Sequence, residues 1–341
     1  MKFQKIYELE SLRGIFAFLI VIFHFPTDNI LYNNSFTKNS FFAVDFFFVL
    51  SGFIISLNYE DKIDNFKELK LFFKKRFFRL YPLHLFLLMI FVVLELFKLF
   101  LAINYEIIPN NGFSNFTDFV KNILLIHGLN GQSFNEPSWS ISVEFICYII
   151  FGFYCLSAKK LYLTPVFLII FGAFLILMDP NHTSFAQLGR CIYSFFIGYY
   201  VYKLSKKNIV ISSKYISLIL FLISLYSISI EFKHKFLILP LLFSLNIFFI
   251  VKNNKVAILN EFLNLSFFKF LGKISYSMYL THYIIAYALR QILHFVFKFE
   301  YSNEMLSLNY YFFPIILFYF FVVIVLSNFT FNIIENKYRS K

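Results

Sequence analysis

Leu12-Arg13-Gly14-Ile15-Phe16-Ala17-Phe18-Leu19-Ile20-Val21-Ile22-Phe23-His24-Phe25 is apolar enough to enter a bilayer, yet it carries a guanidinium and an imidazole. Ionisable groups in a hydrocarbon core are costly, which makes them functional candidates. Arg13 and His24 are 11 residues apart. At 3.6 residues per turn that is about three turns, so both side chains share one helix face roughly 16 Å apart. An arginine near one membrane surface and a titratable group toward the middle describe a polar pocket leading inward from the cytosol. The structural alternative is a snorkelling Arg13 and a His24 packed against a neighbouring helix.

The rest of the chain places this stretch among others like it. Of 341 residues, 59% are hydrophobic and 15% charged, and the mean hydropathy is +0.70. A soluble protein of this length would carry more polar surface and no repeated apolar runs of about 20 residues. Ten such runs are expected as helices, near 11–29, 40–58, 82–104, 138–157, 162–179, 187–204, 214–231, 235–252, 274–296 and 310–333. The run 235–252 is the weakest of them. The net charge of +12 is explained by topology, not by nucleic-acid binding. Lysines and arginines gather in alternate loops, Lys62 to Arg79, Lys159 and Lys160, Lys203 to Lys214, Lys252 to Lys273, and Lys337 to Lys341. The positive-inside rule then puts both termini in the cytosol. The expected fold is an all-α polytopic transmembrane bundle of about ten spans, with residues 1–341 forming one membrane domain and no fused extracytoplasmic domain.

Lys2 and Lys5 before an apolar run resemble a signal peptide, but Arg13, His24 and the missing cleavage pattern identify a retained helix. Cys147, Cys155 and Cys191 lie in apolar runs without metal-ligand spacing, so they are packing residues and no metal site is expected. The outside segment 105–137, with its Asn, Gly and Ser, is a candidate lid or reception surface.

Four constellations carry chemistry. In the first, the neutral imidazole of His24 is suited to removing a hydroxyl proton or briefly taking an acyl group. In the second, Arg76 and Arg79 are i,i+3 neighbours suited to phosphate oxygens, or else part of an interfacial helix meeting lipid phosphates. The third is Trp139 to Glu144 at the outer mouth of the fourth run. There Glu144 binds sugar hydroxyls, orients His24 or bridges helices, while Trp139 is an interfacial anchor or a stacking platform. The fourth is a polar stripe of Ser275, Tyr279 and His282 at i, i+4 and i+7. Asp45 also lies in an apolar run and needs a partner, for which Arg13 is a candidate; Ser51-Gly52 beside it permits close helix packing.

ELESLRGIFAFLIVIFHF (8–25), VDFFFVLSGFIIS (44–56), KKRFFRLYP (74–82), PSWSISVEF (137–145), LGKISYSMYLTH (271–282) and IIENKYR (333–339) occur in this order. Together they resemble the integral-membrane acyltransferase family 3, whose members O-acetylate surface polysaccharides and other acceptors. Asn336 to Arg339 departs from the family's closing signature by lacking a proline. The resemblance implies a multi-pass protein of the bacterial cytoplasmic (inner) membrane, with acetyl-CoA or another acyl-CoA as donor substrate and no permanently bound cofactor. It implies a carbohydrate acceptor, polysaccharide or lipid-linked glycan, and membrane lipids as the remaining partners. His24, Arg13 and Glu144 become the catalytic candidates, with His24 as general base or acyl acceptor and Arg13 stabilising negative charge or holding an acidic partner. Arg76 and Arg79 become the CoA phosphate ligands, and Trp139, Asp45, Tyr279 and His282 fall on the acceptor side. Without a fused domain, the membrane domain completes the transfer itself or hands the acetyl group to a separate protein. A transporter or exporter of a lipid-linked sugar is the competing class, since it too needs buried charge.

Overall fold

A computed structural model describes residues 5–25, 34–105, 115–157, 163–179, 183–209, 211, 213–253, 257–295 and 312–339. The secondary structure among the described residues is entirely helical. Ten helices of 14 residues or more fall on the ten apolar runs: α1 (Tyr7–Phe23), α2 (Ala43–Tyr59), α3 (Phe66–Tyr105), α4 (Trp139–Ser157), α5 (Thr164–Met178), α6 (Ser184–Ser205), α7 (Ile216–Ser229), α8 (Lys235–Lys252), α9 (Ser266–Phe295) and α10 (Phe312–Thr330). Five helical stretches are long and apolar enough to cross a membrane by length and composition: Ser35–Tyr59, Phe66–Phe100, Glu136–Ser157, Lys235–Lys252 and Phe313–Tyr338. The weakest run, 235–252, is thus among the clearest. Apolar α5 and α7 are shorter, at 15 and 14 residues. Outward faces are apolar as well, with Phe97, Phe318 and Phe321 all more than half exposed, the inverse of a soluble surface.

Backbone contact at glycine brings the site-bearing helices together. A methyl group at Gly272 of α9 would overlap the Glu10 carbonyl of α1, and one at Gly14 would meet the backbone of Leu271 and Gly272. On the neighbouring seam, a methyl group at Gly52 of α2 would run into the Phe195 carbonyl of α6, and one at Gly198 into the Val49 carbonyl. Without a hydrophobic drive between helices in lipid, small residues that admit close approach supply the packing energy. Gly52 therefore has the packing role expected of it.

Both seams are parallel. Gly14 meets Gly272, and ten residues further along each helix His24 meets His282. Asp45 meets Arg190 at the start of α2 and α6, and Asp61, just beyond the end of α2, meets Lys206. This common direction sets the levels at which side chains from distant segments converge.

Two boundaries differ from expectation. The third run was placed at 82–104, but α3 begins at Phe66 and continues through Pro82. Arg76 and Arg79 are therefore in the interior of one long continuous helix, not on a separate amphipathic segment. Helix α10 is followed by a π turn at Phe331–Glu335 and a last helical turn at Asn336–Arg339. Residues 106–114 of the outside segment lie outside the described residues; the remainder folds into short helices at Phe116–Ile123 and His127–Asn130.

Candidate active site

A cavity of about 130 Å³ lies where α1, α2, α3, α4 and α9 meet, and Arg13, Arg76, Arg79 and Glu144 all line it. Three guanidiniums thus face one carboxylate across the lining.

Each arginine is held differently. Arg79 pairs with Glu335 of the π turn, and Ser277 of α9 donates to the other oxygen of Glu335 at 2.8 Å. Arg76 donates to the Tyr59 hydroxyl at 2.9 Å, and its guanidinium carbon lies 5.0 Å from that ring's centre. Its Nε is buried without a hydrogen-bond partner. Arg13 makes no hydrogen bond or ion pair among the described residues; Arg79 repels it, while Glu10, Glu335 and Glu144 attract it. An orphaned buried donor beside an unpaired guanidinium is an unfilled demand for anionic acceptors.

The opposite wall belongs to Glu144, which accepts from the Tyr148 hydroxyl at 2.6 Å. With that proton committed, the Tyr148 oxygen accepts from Ser51 at 3.0 Å. Glu144 sits with the arginines at the cavity, and among the described residues no hydrogen bond joins it to His24.

His24 is not in the middle of a helix. It is the C-terminal cap of α1, half-buried, about 15 Å along the axis from Gly14. Its Nδ1 lies 3.0 Å from the Ile20 carbonyl and 3.1 Å from His282 Nε2. Tyr279 marks the boundary between the two regions. It lines the cavity and bonds to Ser140 at 2.7 Å and the Pro137 carbonyl at 2.9 Å, while its ring centre is 6.2 Å from that of His282. The expected stripe therefore divides: Ser275 and Tyr279 face the cavity, and His282 faces His24.

Asp45 does not pair with Arg13. Its carboxylate is held by Arg190 of α6 through two bonds of 3.0 Å, Nε to Oδ1 and Nη2 to Oδ2. The Arg190 guanidinium is enclosed by the rings of Phe236, Trp139 and Phe41 at 4.7, 5.4 and 5.9 Å. Trp139 is accordingly half-buried against a cation. Arg190 went unassigned in the sequence, although a lone arginine in one apolar run and a lone aspartate in another are a complementary pair. Tyr148 was also missed; its signal was its position four residues after Glu144 on one helix face. Cys147 and Cys191 are free, buried and 3.2 Å apart at sulfur, as packing residues of α4 and α6. Among the described residues no cluster of three metal-ligating side chains occurs.

An all-helical bundle with several helices long and apolar enough to span a membrane, and ionisable groups gathered in its interior, fits the class of multi-pass membrane proteins. Residues 6–331 match the family model described as "Acyltransferase domain", the third acyltransferase family, and the chain belongs to that family. Over 124 residues, 35% of this chain, it is 31% identical to "Acyltransferase MdmB" of Streptomyces mycarofaciens. That match spans 29% of the Streptomyces protein, under a third of its length. No solved structure matches the chain.

Proposed function

We propose that this protein is an O-acyltransferase of the bacterial inner membrane, moving an acetyl group from cytosolic acetyl-CoA to a hydroxyl of a cell-surface or lipid-linked carbohydrate. The observation that carries it is the convergence of Arg13, Arg76 and Arg79 on one cavity inside an apolar bundle. A CoA donor brings several phosphate charges, and guanidiniums offer fixed pairs of donors to them.

Parallel packing of α1 with α9 and of α2 with α6 agrees with ten crossings by the single domain, since helices an even number of steps apart in an alternating chain run the same way, and the lysine and arginine bias favours placing both ends in the cytosol. In that orientation Arg76, Arg79 and Arg13 lie toward the cytosol and His24 about three turns further out. Arg13 is thus better placed for donor phosphates than for an oxyanion at His24. The flexible pantetheine arm is the part of CoA that spans this interval, passing Tyr279. At its end, His24 takes the proton of the acceptor hydroxyl while the hydroxyl oxygen attacks the thioester carbonyl carbon. The carbon–sulfur bond then breaks, and the leaving thiolate recovers the proton from His24. Trp139 borders the acceptor side.

Radiolabelled acetyl-CoA added to membranes should label a glycan that gains one acetyl mass only when the gene is present. Arg76→Lys and Arg79→Lys keep charge but lose the fork, so donor KM rises while insertion is normal. His24→Gln and His24→Asn should insert normally and lose transfer by at least about 100-fold. Unchanged donor kinetics in both lysine variants would remove the donor assignment, and near-normal turnover in His24→Gln the catalytic one.

A further inference from the structure

The hydrogen bonds behind His24 have a direction, and carbonyl chemistry dictates it. His282 is fully buried, and its Nδ1 lies 3.1 Å from the Met278 carbonyl. A carbonyl oxygen only accepts, so in the neutral ring the proton sits on Nδ1 and Nε2 carries a lone pair. That lone pair faces His24 Nδ1 at 3.1 Å. Two bare nitrogens repel, so His24 must carry its own proton on Nδ1. The second neighbour of the same atom agrees: the Ile20 carbonyl, at 3.0 Å, also only accepts. Both constraints leave the lone pair of neutral His24 on Nε2, which makes no hydrogen bond among the described residues.

We propose that His282 is a positioning residue that locks His24 in the tautomer with a free, basic Nε2. The inference rests on the reading of His24 as the proton-accepting group, and it moves His282 from the acceptor side to a place behind the base. The parallel α1–α9 seam sets the geometry, since Gly14 meets Gly272 ten residues before His24 meets His282. When Nε2 takes the hydroxyl proton, the ring becomes a cation and the bond from Nδ1–H to His282 becomes charge-assisted. His282 stays neutral throughout; the proton remains on His24 Nε2 until the thiolate takes it. Second partners of this kind fix ring orientation and tautomer in metal-binding and catalytic histidines alike. The other charged and titratable groups near His24 are Glu136, ahead of α4, and Arg290 and Tyr283 on α9. Among the described residues, His24 Nδ1 lies within hydrogen-bond distance of the Ile20 carbonyl and of His282 Nε2.

The test uses the full chain in membranes, with acetyl-CoA as the donor probe and the endogenous glycan as acceptor. His282→Phe fills the space but accepts nothing, so kcat should fall by about 10- to 100-fold with donor KM unchanged. His282→Gln offers a side-chain carbonyl to His24 Nδ1–H and should recover a clear part of that loss. Nitrogen NMR of histidine-labelled protein should show the Nδ1-protonated form of His24, with the mixed-tautomer signal appearing in His282→Phe. Equal kcat in wild type and His282→Phe would overturn the proposal, as would equal losses in the Phe and Gln variants at normal folded yield. Failure of the His24 assignment reads out separately, as retained turnover in His24→Gln.

Discussion

Breaking the Asp45–Arg190 pair should cost the fold far more than it costs substrate affinity. Asp45 is fully buried and Arg190 nearly so, with side-chain exposures of 0% and 5%, and both carboxylate oxygens are bonded at 3.0 Å. Removing one partner leaves the other charge buried without a counter-ion, a loss of about 3–5 kcal/mol. At roughly 2 °C per kcal/mol for a large domain, that is a fall in Tm of about 6–10 °C. Asp45→Asn and Arg190→Gln should each show it, by thermal unfolding in detergent. The double variant buries no charge and should return to within about 1–2 kcal/mol of the parent, as replaced buried pairs often do. Transfer should fall in proportion to folded protein, with KM for the acceptor unchanged. An Asp45→Asn protein that melts normally but binds acceptor poorly would refute this reasoning and return Asp45 to the acceptor side. A double variant as unstable as the sum of the singles would show that the pair contributes no coupling.

Gly272→Leu should separate α1 from α9, because the new side chain collides with the Glu10 backbone carbonyl; overpacking of this kind costs about 1–3 kcal/mol. Loss of transfer at reduced Tm is expected, and unchanged activity would mean that the seam does not align His24 with His282. A pH dependence comes from His127 in the outer segment, which is buried against His84, with ring centres 5.6 Å apart. Burial first, and then the neighbouring His84, push its imidazole down to about 4. The folded state therefore holds His127 neutral while the unfolded chain takes up a proton below about pH 6.5. Its contribution is full above that value and is lost progressively as pH falls toward 4, by up to about 3 kcal/mol. His127→Asn should flatten the Tm profile between pH 6.5 and 4; an unaltered slope would place the acid sensitivity elsewhere.

Helix number and position were legible in the chain because hydrocarbon imposes a rule on every segment separately: a run of apolar residues must satisfy its own backbone by forming a helix. That rule needs no knowledge of neighbours, so the ten runs correspond to ten long helices among the described residues, and even the weak run at 235–252 became α8. Ionisable residues within those runs were equally visible, since each is an exception to the same rule. Partners were not visible, because they depend on which helices touch and in which direction. Asp45 was 145 residues from Arg190 and Arg79 was 256 from Glu335, separations that no local pattern links. Gly14, Gly52, Gly198 and Gly272 decide those contacts by permitting backbones to meet. With α1 parallel to α9, His24 faces His282 and not Glu144, and Arg13 joins Arg76 and Arg79 and not Asp45. Arg13, His24, Arg76, Arg79, Glu144 and His282 could be named one by one from the sequence, while Tyr148 and Arg190 were missed; only the packing of helices against each other sorted the named residues into an arginine-lined cavity and a histidine pair.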